Sequence, residues 1–280
     1  MSRERELERQ LVTLATLEQA VGALRTLSAR HFRAARAPLA SARAYRDEIE
    51  GMLGALGPLG ESGGTPAPTG IVLVTADLGL VGDYTSRLVS EARALRAERG
   101  PGPLLCIGRR ALPLLAKARI EPTLTHPAPT SVAGLSGLLI ELVDDVLRLR
   151  RKGELAGLWL VAARFQGAGQ FEPVRVPVLP IARPAGTAPL ALSPYCDATH
   201  LRAVIVREYL YAVLYETLLE SLASEHGKRL VVAESARGWI SERRTKTRLL
   251  LASLRRESST QEVLELVAGA RATRRPGSAP

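Results

Sequence analysis

The chain has 280 residues, with 46% hydrophobic and only 4% aromatic side chains, and a net charge of +10. That length and hydrophobicity allow a sizeable core in one or two domains. The scarcity of rings disfavours a base-stacking nucleic-acid binder, and no run reaches the roughly eighteen apolar residues of a membrane span. Of the 38 Lys and Arg, 34 are arginine, so an acidic partner has to be considered.

In chain order, the first proline is Pro38, so Ser2 to about Ala37 can run as one helix of roughly 50 Å. Leu7, Leu14, Leu17, Val21 and Leu24 fall near a 3.5-residue repeat and predict a short coiled-coil seam. The opening SRERELERQ is charged and does not read as a signal peptide. Gly57 to Gly70 reads as a linker. Beyond it strands and helices alternate: GIVLVTAD (Gly70 to Asp77), apolar on both faces, as a buried parallel strand; a helix over Tyr84 to Arg99; and a strand PLLCIG (Pro103 to Gly108). Next come a short helix near Arg109 to Lys117, an extended run near Ile120 to Thr125 and a helix over Ser131 to Arg151. Leu155 to Phe165 and Pro173 to Ile181 read as the last strands, which together predict an α/β domain with a largely parallel sheet.

Between Pro194 and Pro276 there is no proline, and Ala198 to Ala272 holds only Gly227, Gly238 and Gly269. One helix of that length would be roughly 110 Å long, more than a domain of this size can enclose, so it must find partners elsewhere. Leu201, Ile205, Ala212, Tyr215, Leu219 and Leu222 form an apolar stripe, and Val232, Ala236 and Ile240 resume it. Glu225, His226, Lys228 and Arg229 interrupt it, and over Glu242 to Arg248 one apolar face is hard to draw. Basic clusters at Arg25 to Arg46 and Lys228 to Arg256 fall on the two terminal helices, which predicts an acidic surface outside the chain to offset them. Past Arg274, RRPGSAP reads as disordered.

An enzyme reading would rest on Asp77 at a strand end or on the pair Asp144 and Asp145; the blander readings are a turn-closing Asp and a solvated helix face. The loop GLVGD from Gly79 fits neither GxGxxG nor a Walker loop. His31, His126, His200 and His226 lack metal spacing, and Cys106 and Cys196 read as idle thiols. The expectation is therefore no catalysis and no cofactor.

TADLGLVGDYTSRL (Thr75 to Leu88) resembles the SDRGLCGGxNxxL signature of the gamma subunit of F-type ATP synthases. Leu158 to Ile181 is similar to that family's VYLVYNxFxSxxxQxPxxxxLLPI run, and STQEVLELVAGA (Ser259 to Ala270) to its ITQELxEIVxGA. The resemblance implies a long antiparallel coiled coil of the terminal helices (1–57 and 198–272) with an inserted Rossmann-like α/β domain (70–190). It implies a non-catalytic central rotor stalk that couples ion translocation to ATP synthesis or hydrolysis. The implied partners are three alpha and three beta subunits, an epsilon subunit and a c-ring, at the cytoplasmic face of a bacterial inner membrane. It places Arg33, Arg255, Arg256, Thr260, Gln261 and Glu262 at contacts with beta, and Asp77, Gly79 and Gly82 in the signature loop. Arg256, Ala252 and His31 stand where the family usually has Gln, Asn and Lys, and Leu78, Val81 and Asp83 where its signature has Arg, Cys and Gly. A divergent paralogue such as an N-type ATPase would account for these changes. The cysteine-bearing regulatory insert of chloroplast gammas is missing, so thiol control is not expected. The alternatives to a rotor are a basic coiled-coil adaptor for nucleic acid or an acidic protein, and a small-molecule enzyme on the α/β domain.

Overall fold

The structure, a computed structural model, describes residues 2–55, 68–167, 169–181 and 198–273. The linker centre, Cys196 and the RRPGSAP tail lie outside the described residues. The elements are α1 (Ser2–Arg36), α2 (Leu39–Ala55), β1 (Thr69–Val74), α3 (Tyr84–Arg99), β2 (Leu104–Ile107), α4 (Leu112–Lys117), β3 (Leu124–His126), α5 (Leu135–Arg151), β4 (Gly157–Gly167), β5 (Gln170–Leu179) and α6 (Ala198–Thr273). Pro38 divides α1 from α2, since its ring forbids the helical continuation and its missing N–H leaves the turn at Ala37 and Pro38.

The chain forms two compact units, Met1–Arg25 with Ala233–Pro280, and Thr26–Val232. In the first, α1 and α6 pack antiparallel, as Arg25 to Glu234 (2.6 Å), Arg244 to Glu18 and Arg255 to Glu8 (2.5 Å) show by their opposed order. The expected seam needs correction. Leu7 and Leu14 are buried but Leu17 is exposed, because the inward line steps by seven along α1 and the second line runs four residues on, through Leu11 and Glu18. On α6 the facing line is Ala233, Ile240, Thr247 and Leu251, all buried.

The second unit carries a five-stranded sheet in the order β3-β2-β1-β4-β5. β1 to β4 are parallel, with Ile71 opposite Leu104 and Trp159, while β5 returns antiparallel on β4. Alternation puts Ile71 and Leu73 on one face, against Leu88, Leu95 and Leu115 from α3 and α4. Val72 and Val74 face the other side, covered by Leu139, Leu142 and Val146 of α5, Leu39 and Ile49 of α2, and Leu210, Leu214 and Leu218 of α6. At the outer edge Pro173 and Pro177 pair with Ala163 and Trp159, in the same alternating phase as Arg175. Lacking an N–H, each proline must turn its nitrogen away from β4, so the open edge loses two donors.

Candidate functional site

In a doubly wound sheet the ligand crevice lies at the carboxyl ends of the strands where the order reverses, here between β1 and β4. In this chain α6 fills it. The Ser221 Oγ accepts from the Ala163 N–H (3.3 Å), and the buried Tyr84 hydroxyl donates to the Ser221 carbonyl (3.2 Å). Two turns further along α6 stands Arg229, the largest fully buried side chain among the described residues.

The Arg229 guanidinium joins the loop after β1 to α6. Its Nε donates to the Gly79 carbonyl (3.1 Å), and Nη2 donates to the Leu78 carbonyl (3.4 Å) and to Glu225 (2.5 Å). Nη1 meets His226 Nδ1 at 3.1 Å, while His226 Nε2 lies 3.1 Å from the Thr130 carbonyl. A carbonyl only accepts, so His226 carries its proton on Nε2 and accepts at Nδ1. The His31 ring stacks on His226 with centroids 5.1 Å apart. Burial, and then the nearby Arg229 charge, push His226 down to about 4. Burial likewise lowers His31, with Arg30 and Arg229 adding to it, and raises the Glu225 carboxyl against the pull of Arg229.

The signature loop is shaped for this contact. Leu80 and Gly82 both take left-handed backbone, φ 59° and 58°. A Cβ on Gly82 would stand 3.2 Å from Lys228 Cε, and Lys228 itself pairs with Asp83 at 2.8 Å. Gly79 lies under Arg110, whose Nη2 would come within 2.7 Å of an added Cβ. Asp77 closes the turn: its carboxylate accepts from the Arg109 backbone N–H (2.7 Å) and guanidinium (3.1 and 3.2 Å). That is the turn-closing role, with the carboxylate already committed. A third contact comes from the β4–β5 turn. Gly169, at φ 76°, approaches Val231, and Gly227 lies against Phe32. Phe32 meets Phe165 edge-on at 5.5 Å with the Arg36 guanidinium over both rings.

A cavity of about 310 Å³ over the ends of β2 and β3 is lined by Cys106, Arg109, Thr125 and His126. Its polar groups are engaged. Arg109 holds Asp77, and His126 lies 3.0 Å from Asp145 and 3.4 Å from Glu141. Burial, with the Asp77 charge, pushes the Cys106 thiol up to about 11, so it is no nucleophile at neutral pH. Asp144 pairs with Arg207 at 3.1 Å on an exposed surface.

The residues expected at a partner surface divide between the two units. Arg33, in the second unit, is exposed, with Nε donating to the Ala29 carbonyl (3.3 Å). Arg255, Arg256, Thr260, Gln261 and Glu262 lie on the end of α6 in the first unit, where every residue from 255 to 270 is exposed. Arg255 spends one amino group on Glu8, Arg256 donates to the Ala252 carbonyl (3.3 Å), and Thr260 donates to that of Arg256 (2.8 Å). Arg256, Thr260 and Gln261 share a shallow groove with Glu257, Leu264 and Glu265. Val263, Leu264, Leu266 and Val267 stand in solvent on one side of the helix, Leu266 at 74% exposure. The expectation that the basic clusters are offset from outside needs correction in part. Glu234, Glu18 and Glu8 take Arg25, Arg244 and Arg255, and Glu216 and Glu220 take Arg46 and Arg43, because α1, α2 and α6 interleave their acids opposite these arginines. Glu225, His226 and Arg229 were not singled out as site residues from sequence. Their signal was the break they make in the apolar stripe.

The family model described as ATP synthase matches residues 3–273. The chain belongs to the ATP synthase family. Among curated members, it is 29% identical to the ATP synthase gamma chain of Moorella thermoacetica, over 96% of this chain and 99% of that one. It is 27% identical to the gamma chain of Heliobacterium modesticaldum, over 96% and 98%. Its fold is similar to a chain of the Euglena gracilis mitochondrial ATP synthase OSCP/F1/c-ring assembly, at TM-score 0.68 and 14% identity over 100% of this chain and 97% of that one. A chain of the Tetrahymena thermophila mitochondrial ATP synthase central stalk/c-ring aligns at TM-score 0.58 and 17% identity, over 78% of this chain and 99% of that one. Among the described residues no helix of this family member is long and apolar enough to cross a membrane.

Proposed function

We propose that this chain is the gamma subunit, the central rotor stalk, of a rotary F-type ATP synthase, and that it is itself non-catalytic. One observation carries the reading beyond family membership: the end of α6 displays Val263, Leu264, Leu266 and Val267 as one exposed apolar face, about 160° of its circumference, with no covering element among the described residues. An uncovered aliphatic face backed by Gln261, Glu262 and Glu265 is the pattern of a helix that meets a partner on one side, and a sleeve of alpha and beta subunits supplies such a partner. The filled crevice at the β1–β4 switch point supports the absence of a substrate site on this chain.

In this reading residues 1–57 and 198–272 make the shaft and 70–190 the domain that meets epsilon and the c-ring. Three alpha and three beta subunits surround α6, with Arg255, Arg256, Thr260, Gln261 and Glu262 on that surface and Arg33 on α1. Turning an asymmetric shaft biases the beta sites between conformations, so ion flow and ATP chemistry are linked mechanically. The complex sits at the cytoplasmic face of a bacterial inner membrane, to which this chain is attached only through its partners.

The test is coexpression with alpha and beta subunits from the same genome, followed by size exclusion and an ATPase assay. A complex near three alpha, three beta and one copy of this chain, with ATP hydrolysis that requires the chain and weakens when it is truncated before Ser259, supports the rotor. A chain that elutes alone and leaves hydrolysis unchanged overturns it.

A further inference from the structure

We infer that Arg229, with Glu225 and the Lys228–Asp83 pair, is the joint that transmits torque between the α/β domain and α6, an assignment that rests on the rotor reading. The contact is built from α6 residues 221–231 and meets the domain at three places. These are the β4 backbone at Ala163, the signature loop at Leu78, Gly79, Gly82 and Asp83, and the β4–β5 turn at Gly169. Below it, Leu210, Leu214 and Leu218 pack on the sheet by apolar contact, and Glu216 and Glu220 pair with the partly exposed Arg46 and Arg43 of α2.

The two parts of the contact resist different motions. Apolar burial is non-directional, so a helix can slide or turn over it by small steps without losing all of the stabilisation. A guanidinium is a rigid fork, and here its three nitrogens address four groups: two consecutive loop carbonyls, a carboxylate and an imidazole. Rotating α6 against the loop breaks the Leu78 and Gly79 bonds together and strains the Lys228–Asp83 pair, because hydrogen-bond strength falls steeply with misalignment, while Glu225 and His226 travel with the helix and hold the fork in place on it. Stability alone does not call for such a group. A buried ion pair is often matched or bettered by apolar residues of similar volume, so what the charged cluster adds is a fixed register. The left-handed Leu80 and Gly82 turn the Leu78 and Gly79 carbonyls toward α6, and Glu225 and His226 engage the rest of the fork.

The experiment uses the assembled complex, with alpha, beta, epsilon and the c-ring, in sealed vesicles, and reads ions pumped per ATP hydrolysed. Arg229→Lys keeps the charge without the fork, and Arg229→Met keeps the length without the charge; each is expected to lower that ratio about twofold or more. The single-molecule torsional stiffness of the rotor is expected to fall with it. A wild-type ratio in the Arg229→Met complex overturns the assignment. Should that variant fail to fold, Arg229→Lys, Asp83→Asn and Lys228→Met decide by the same ratio, and wild-type values in all three overturn it. If the wild-type chain does not assemble with alpha and beta, the rotor reading fails on its own account. The joint is then read in the full chain by hydrogen exchange at residues 78–82. Exchange about tenfold faster in Arg229→Lys supports a rigid joint, and unchanged exchange overturns it.

Discussion

Two stretches of the same helix, residues 209–231 and 255–270 of α6, both mix leucine, valine, glutamate and arginine and have opposite surroundings. In the first, leucines, a serine and even an arginine are buried by the chain's own sheet, loops and helices. In the second, leucines and valines stand in water, and arginines reach only Glu8 or their own helix. Helix propensity therefore does not decide what a helical face meets; that depends also on which other elements the chain carries alongside it. The first stretch is covered within this chain; the rotor reading gives the cover of the second to partner subunits.

The contrast predicts opposite responses to substitution. The largest effect is at Glu225→Ala, which leaves the Arg229 charge buried without its carboxylate; urea melts of the full chain are expected to show a loss of about 3–5 kcal/mol. Acid gives the next largest. Because His226 is held neutral down to about 4 in the folded chain but takes up a proton near 6.5 when unfolded, its contribution is complete above pH 6.5 and is lost as pH falls from there to 4. The shift corresponds to about 3 kcal/mol for His226. His31 adds in the same direction, Arg229 deepens both shifts and Arg30 that of His31, and Glu225, whose carboxyl is raised, partly offsets them. His226→Gln is expected to flatten the stability profile between pH 6.5 and 4, measured by denaturant midpoints across that range.

Smaller effects are expected outside the charged cluster. Gly169→Ala puts a Cβ at left-handed φ and 2.4 Å from Val231, so thermal melts are expected to show a loss of about 1–3 kcal/mol. Arg255→Ala removes an exposed pair with Glu8 and costs the isolated chain about 0.2–1 kcal/mol, read by the same melts. Leu266→Ser marks the limit: within about 0.5 kcal/mol of wild type in the isolated chain, yet weaker in copurification with alpha and beta. Equal loss of stability at Leu266 and Glu225 would abolish the contrast.

The strand and helix order was legible because each element announces itself locally. Ile71 to Val74 form a run apolar on both faces, Tyr84 to Arg99 is bounded by turn residues, and Pro38 divides the first helix. The antiparallel return of β5 was harder to read, since the same apolar alternation serves either direction. The seam went wrong at Leu17 because steps of three and four are equally compatible with the pattern around Leu14, and the choice is made by the facing residues of α6. Asp77 was legible as a strand-end carboxylate, and its role needed Arg109, 32 positions away. The joint was visible only as a fault. Glu225, His226 and Arg229 break an apolar stripe, and nothing local says whether such a break faces water or a loop from another part of the chain.

The two prolines on β5 bear on a different moment in the protein's life, the interval between synthesis and incorporation. A sheet edge with donors missing at 173 and 177 is a poor template for a second copy, so newly made chains are protected from stacking strand upon strand. The bare end of α6 has no such protection. Surplus copies therefore expose an apolar helical face at residues 263–267 rather than a sticky sheet edge, and proteolytic removal of the surplus is expected to begin in that part of α6.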